Sequence, residues 1–293
     1  MIGKTFRGSD AVRAGLLTKD DLRGPAWRRI FRDVYADVAL ADSYQGRCLA
    51  AAHHLLPPGA AIAGRSAAWL YGVRLAHHLD PVEVVTPRDA RFGPVAGLAI
   101  HVAALADDDV RVIEGVRRTS PLRTGWDLAS WLDLPDAVAY LDQMAARRLV
   151  NGPALAAYAR NRAGRRGWRK LLRAASLIDP AAESPPESRL RVRLVLAGLP
   201  LPVSQYVIEQ DGAFVGRVDL AWPHLRVAVE YDGRWHGDPD QLERDRARLN
   251  RLLTTGGWIV LHVTARRLRE DFGGFVAELQ AALRLQAERL ATR

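Results

Sequence analysis

The chain has 293 residues, a formal net charge of +9, and 48% hydrophobic against 26% charged residues. That is room for two or three domains with real cores, in the composition of an ordinary soluble globular protein. Cys48 is the single cysteine, which excludes a disulfide framework and a cysteine-rich zinc site, and its helical-looking neighbourhood predicts a buried, inert thiol. No run approaches the roughly 20 apolar residues of a membrane span, and the first residues lack a signal peptide's apolar core. A cytoplasmic protein with no membrane partner is expected.

In chain order, residues 5–38 open with short helical patterns. Thr18 is placed to cap a turn, with Asp21 at its third position, and residues 27–36 alternate like a strand pair. Helix, helix, then a basic aromatic hairpin is the order of a winged-helix module, assigned to 1–60. Helices are predicted at 43–56 and 64–72, strands at 82–86, 98–102 and near Val116, and helices at 121–132, 135–148, 152–163 and 166–178. This gives a mixed α/β and helical, basic middle domain over 61–179. The stretch from Asp179 to Pro186, with three prolines, breaks the pattern and marks a domain boundary. A helix at 186–197, a strand at 203–209, an acidic hairpin, a polar helix at 239–254, a strand at 258–263 and a helix from 271 follow. The order fits a sheet flanked by helices over 180–293, and the whole chain reads as α/β.

Lysine occurs only at positions 4, 19 and 170, so the basicity is almost wholly arginine. Between Gln143 and Ile178 no acidic residue occurs, while Arg147, Arg148, Arg160, Arg162, Arg165, Arg166, Arg169, Lys170 and Arg173 all do. Residues 181–293 carry 16 arginines against 15 acids, so attraction to a polyanion must come from upstream. A solvated helical face is the plain alternative.

The hairpin around Pro223 and His224 carries the chemistry. Val218 and Leu220 alternate with Asp219, and Val227 and Val229 alternate with Glu230 and Asp232. With period-two alternation the valines share one face and the acids the other. Folding about residue 224 sets Asp219 opposite Glu230, at the roughly 4.5–5.5 Å of cross-strand neighbours. Carboxylates held so close call for a bound cation or a raised pKa, and an all-oxygen set suits Mg²⁺ or Mn²⁺ better than zinc. Ser184 and Glu187 also fit a capping box, Asp232-Gly233 a turn pair, and Asp245 with Arg248 a helix-face ion pair.

Ordered as Glu187-Ser188-Arg189, Arg217-Val218-Asp219, Glu230-Tyr231-Asp232-Gly233, His236, Asp245 and Gly257-Trp258, the C-terminal segment resembles the PD-(D/E)XK nuclease superfamily. The resemblance is to its very-short-patch-repair-like group, and it implies a restriction-endonuclease-like three-layer α/β/α fold. It further implies that Asp219 and Glu230 are metal ligands, that Glu187 is an accessory ligand, and that His236 contacts phosphate or relays a proton. Asp232 stands where that pattern has lysine, and no lysine follows Lys170.

The first two thirds resemble the AbiEi-like antitoxin group through Ala14-Gly15-Leu16-Leu17-Thr18, Trp27 to Tyr35, Gly64 to Gly72 and Arg118 to Asp127. The resemblance implies a winged helix that binds DNA. Arg28, Arg29 and Arg32 would then touch phosphates, joined by Arg162, Arg165, Arg166, Arg169 and Lys170 of the basic stretch. Two functions follow as expectations. One is a DNA-binding, Mg²⁺-dependent endonuclease. The other is a DNA-binding regulator with an inactive nuclease fold, partnered by a nucleotidyltransferase-like toxin. RNA as substrate remains open.

Overall fold

The computed structural model describes residues 3–90, 92–210, 212–232 and 257–292. The chain divides into two compact units, one of Met1–Asp133 with Arg147–Ser176, the other of Leu134–Ala146 with Leu177–Arg293. Both are mixed α/β. No helix among the described residues is long and apolar enough to cross a membrane.

In the first unit, β1 (Phe6–Arg7), β2 (Trp27–Phe31) and β3 (Val34–Asp37) form an antiparallel sheet in the order β1-β3-β2, and α1 (Gly8–Arg13) leads into it. The cap at Thr18 forms reciprocally: Asp21 N donates to Thr18 Oγ1 at 3.1 Å, and Thr18 N donates to Asp21 Oδ2 at 2.7 Å. The element it starts is one 3-10 turn, Asp21–Arg23. Gly24 is extended ahead of Pro25, as the residue before proline is pushed to be, and this stops the turn. The second helix of the expected winged module is therefore reduced to a turn.

Next come α2 (Val38–Ala41) and α3 (Tyr44–His54), the latter capped by Ser43 Oγ, which accepts from Gly46 N at 2.9 Å. A second sheet holds β4 (Ala61–Ile62), β5 (Val82–Thr86), β6 (Leu98–Val102), β7 (Val110–Ile113) and β8 (Val116–Thr119), in the order β6-β5-β4-β8-β7. Every residue of β5 is buried, which is why that segment lacks clean alternation. Cys48 packs fully buried among Tyr44, Ile62 and Val84, and burial pushes its thiol up to about 12, so it is inert as expected. The helices α4 (Gly64–Leu70) and α5 (Pro121–Trp131) belong to this unit. So do α7 (Gly152–Arg160) and α8 (Trp168–Ala175), whereas α6 (Leu134–Ala146) does not.

The second unit gathers α6, α9 (Pro185–Leu196), β9 (Val203–Gln210), β10 (Ala213–Trp222), β11 (Val227–Asp232), β12 (Ile259–Thr264), α10 (Ala265–Glu270) and α11 (Phe272–Ala291). The sequence pattern places α6 in the middle domain and the boundary at 179; the structure moves α6 across and sets the boundary at 176. The helix predicted at 239–254 lies outside the described residues. Strand order is β12-β11-β10-β9, with β11 and β12 parallel and the other pairs antiparallel. One face packs Leu220, Trp222, Val227, Val229 and Val263 against Leu190 and Leu194 of α9 and Phe275 and Leu279 of α11. The other carries Val218, Ala221 and Ala228, with Trp258 and Val260 beside them.

The tie between α6 and α9 is a buried ion pair. Arg191 donates from Nη2 to Asp142 Oδ2 at 2.8 Å and from Nη1 to Leu177 O at 2.7 Å, while Asp179 N donates to Asp142 Oδ1 at 2.7 Å. Burial raises the Asp142 carboxyl, and Arg191 opposes that rise. Arg191→Met leaves the Asp142 charge buried without its cation. We expect a loss of about 3–5 kcal/mol, read as a lower urea midpoint. An unchanged midpoint would show the pair to be dispensable.

Candidate active site in the C-terminal sheet

Three of the expected acids sit at one end of the four-stranded sheet, and a fourth reaches it from α9. The β10–β11 register pairs Leu220 with Val229 and Trp222 with Val227, so one further step sets Asp219 across from Glu230, as read from sequence. The ladder pairs stop at Leu220–Val229. Beyond that point Tyr231 N donates to Asp219 Oδ2 at 2.8 Å, a side-chain oxygen taking a place in the strand pairing.

Glu187 arrives through its cap. Ser184 Oγ donates to Glu187 Oε1 at 2.5 Å and accepts from Glu187 N at 3.4 Å, while Glu183 N donates to Oε2 at 3.3 Å. The capping box thus forms with the amide one residue earlier than the usual pattern. Arg217, two residues before Asp219, forks onto Glu183 at 2.7 and 2.9 Å and fastens the start of α9 to β10.

The link between Glu187 and Asp219 is Gln205, which sequence reasoning missed. Its Nε2 donates to Glu187 Oε2 at 2.8 Å and to Asp219 Oδ1 at 3.3 Å. Gln205 stands opposite Asp219 between the register pairs Val218–Tyr206 and Leu220–Ser204. Its φ is +51°, a left-handed conformation that a non-glycine residue adopts at a cost. The alternation of β10 slips at this point. Val218, expected on the face of Leu220, packs instead with Ala221 and Ala228.

The fourth and fifth members come from the parallel pair. Glu230 is in register with His262, and Asp232 with Thr264. In-register residues of parallel strands share a face, so Glu230, Asp232 and His262 lie together, opposite the side of Val229 and Val263. His262 Nδ1 is 3.2 Å from Asp232 Oδ1. Asp232 is therefore more than a turn former. His262 was the second residue missed. His236, Asp245 and Arg248 lie outside the described residues.

The donor set is hard: carboxylate oxygens, with a primary amide between two of them. That amide places a hydrogen-bond donor between two carboxylates, where a small cation would sit, and turning it end for end offers its oxygen instead. Among the described residues, no group of three or more His, Cys, Asp or Glu side chains is gathered closely enough to hold a metal ion. The residues fit a divalent cation in kind, with Gln205 as an oxygen donor.

Of the expected phosphate contacts, Arg28, Arg29 and Arg32 are exposed on and just after β2, and Arg165, Arg166 and Arg169 are exposed around the turn from α7 to α8. Lys170 Nζ donates to Ser130 O at 3.3 Å. Arg162 is different. It is mostly buried, donates to Asp109 Oδ1 at 2.8 Å, and lies 3.6 Å over the Tyr158 ring. Burial and pairing fix that arginine in place against Asp109.

No family model matches the chain, and no solved structure matches it. Two proteins of Mycobacterium tuberculosis do: "Uncharacterized protein MT2308" of strain CDC 1551 / Oshkosh and "Uncharacterized protein Rv2248" of strain ATCC 25618 / H37Rv. Each is 33% identical over 205 residues, which is 69% of this chain and 72% of the relative. By that extent of identity, the chain belongs to the family of these mycobacterial proteins.

Proposed function

We propose that the chain is a DNA-binding, divalent-metal-dependent endonuclease of the PD-(D/E)XK kind, cleaving phosphodiester bonds at the acidic end of its C-terminal sheet. The observation that carries this reading is the convergence of a helix carboxylate, Glu187, and a strand carboxylate, Asp219, on the single Nε2 of Gln205. Glu230, Asp232 and His262 stand together on a face of the adjoining strands. Asp219 and Glu230, with Glu187 as accessory, would hold Mg²⁺ or Mn²⁺. When bound, such an ion lowers the pKa of a water and offsets charge on a phosphate. Where the pattern elsewhere has lysine, Asp232 stands against the His262 imidazole and would orient it toward the reacting phosphate. The exposed Arg28, Arg29, Arg32, Arg165, Arg166 and Arg169 would hold the backbone without reading its sequence. The chemistry belongs to the cytoplasm, where DNA is the partner.

Nicking of supercoiled plasmid tests this. Cleavage is expected with Mg²⁺ or Mn²⁺ and is expected to vanish with EDTA. Binding should weaken steeply with salt. Cleavage that persists in EDTA would sink the metal-dependent reading.

A second reading is favoured by the missing lysine and by the absence of a ready three-residue metal group among the described residues. In it the chain is an AbiEi-like regulator that binds DNA through its first unit, pairs with a nucleotidyltransferase-like toxin, and keeps the nuclease-like sheet as a scaffold. Tight, salt-sensitive DNA binding with no cleavage under either metal selects it. Running both assays with RNA separates the nucleic acids.

A further inference from the structure

The turn from α7 to α8 folds Arg162, Arg165 and Arg166 back toward α5. Gly167 allows it with φ +104°, and a Cβ there would meet Ser130 Oγ at 2.3 Å, so the chain lies directly against α5. Together with Arg123, Trp126 and Tyr158, these three arginines line a cavity of about 240 Å³.

Four guanidiniums around one small cavity repel unless something balances them. Two are balanced. Arg123 donates from Nε to Asp127 Oδ1 at 2.8 Å and from Nη1 to Asp109 Oδ2 at 3.0 Å and to Ala104 O at 3.0 Å. Arg162 donates to Asp109 Oδ1 at 2.8 Å, and the exposed Asp108 is 3.5 Å from it. Asp109 and Asp127 are each 1% exposed, so they hold these two arginines from inside the unit. Each of these two arginines is held rigid by a buried carboxylate yet keeps guanidinium nitrogens outside those bonds. Arg165 and Arg166 have no ion-pair partner among the described residues, and both are exposed.

The remaining excess therefore belongs to two unpaired arginines beside two rigid ones. Planar guanidinium forks match tetrahedral oxyanions in pairs. A doubly negative group balances the excess, and a singly negative carboxylate leaves part of it. At about 240 Å³ the space is below the roughly 300–1,000 Å³ of pockets for drug-sized ligands, so the ligand is little more than the anion itself.

We infer that the cavity formed by Arg123, Arg162, Arg165 and Arg166 is a binding site for a phosphate dianion, either free or as the terminal monoester of a nucleotide chain. It stands independently of the nuclease reading, because every residue of it lies in the first unit.

The test is calorimetric titration of the full chain with three probes: inorganic phosphate, a short oligonucleotide with a terminal phosphate, and the same oligonucleotide with a terminal hydroxyl. The Arg165→Gln/Arg166→Gln double variant changes only exposed side chains, so it should fold as the parent does. The phosphorylated oligonucleotide is expected to bind at least about tenfold more tightly than its hydroxyl twin, the scale of one charge-assisted pair. The double variant should lose that preference, and inorganic phosphate should compete for it. Equal binding of the twins together with phosphate binding that the double variant loses assigns the site to the free ion. A preference for terminal phosphate, or binding of free phosphate, that survives in the double variant overturns the assignment. So does an absence of binding by inorganic phosphate and of any preference between the twins.

Discussion

Asp219→Asn is expected to reduce metal-dependent cleavage by about a thousandfold or more while barely moving the unfolding midpoint. The native carboxylate has two jobs. Its Oδ2 accepts from Tyr231 N at 2.8 Å and its Oδ1 accepts from Gln205 Nε2 at 3.3 Å. Asparagine has one oxygen and can keep the bond to Tyr231. Its amide nitrogen then faces Gln205 Nε2, and the Gln205 amide keeps its bond to Glu187 rather than turning, because its oxygen would meet the Glu187 carboxylate. The structural cost is the loss of the longer hydrogen bond from Gln205, about 1 kcal/mol. The chemical cost is a full negative charge at the proposed cation position, several kcal/mol at about 1.4 kcal/mol per tenfold in rate. Glu230→Gln should fall as far, with DNA affinity retained in both variants. Wild-type cleavage rates in both would defeat the proposed chemistry, whatever the fold. The regulator reading instead expects no cleavage in the parent and unchanged DNA binding in Glu230→Gln.

Much of this sheet is legible in the amino-acid pattern. The turn near Pro223, the facing of Asp219 and Glu230, and the strand at β12 can all be set by counting, although Val218 leaves the face that the alternation of β10 assigns to it. What escapes counting requires a second strand whose register local rules do not fix. Gln205 sits on the far arm of the β9–β10 hairpin, and an irregularity between Phe214 and Gly216 shifts the pairing by one residue. Without that bulge the count from the turn puts Ser204 opposite Asp219, and the amide between the two acids is invisible. His262 lies in a parallel strand, where no tight turn specifies which residue meets Glu230. The same blindness affects Arg162. A count of local charge treats every arginine as solvent-facing, but Arg162 is bound to Asp109, 53 residues earlier. In the N-terminal segment the cap at Thr18 forms as expected. The helix expected after it does not, because Pro25 ends it within a turn.

Asp109→Asn is expected to destabilise the first unit by about 3–5 kcal/mol near neutral pH, a large part of the roughly 5–15 kcal/mol that holds a domain together. The side chain is 1% exposed and accepts from the Tyr158 hydroxyl at 2.5 Å, Arg162 at 2.8 Å, Arg123 at 3.0 Å and Ala106 N at 3.1 Å. It thereby joins the segment before β7 to α5, α7 and the arginine turn. Asparagine keeps the shape but, among the carboxylates of the described residues, leaves Arg123 with Asp127 and Arg162 with the exposed Asp108. The pH dependence has two parts of opposite sign. Burial works to raise the Asp109 carboxyl, but the Tyr158 hydroxyl, the Ala106 amide and the two arginines outweigh it and hold the group below its ordinary value. Its stabilisation is therefore present above the usual carboxylate range, about pH 4, and is lost as pH falls through the lower folded value. Asp127 runs the other way. Burial pushes it up to about 7 against the pull of Arg123, and the neighbouring Asp109 charge adds to the rise. Between about pH 4 and pH 7 the folded state holds a proton there that the unfolded chain has released, so stability falls as pH rises across that window. Removing the Asp109 charge lowers Asp127 toward the ordinary range. The variant should therefore lose part of that downward slope, burial keeping the rest, while being less stable throughout it. Urea unfolding at about pH 5 and about pH 8 reads both effects. A variant within about 1 kcal/mol of the parent at neutral pH, with the slope intact, would mean that the two arginines do not depend on this carboxylate.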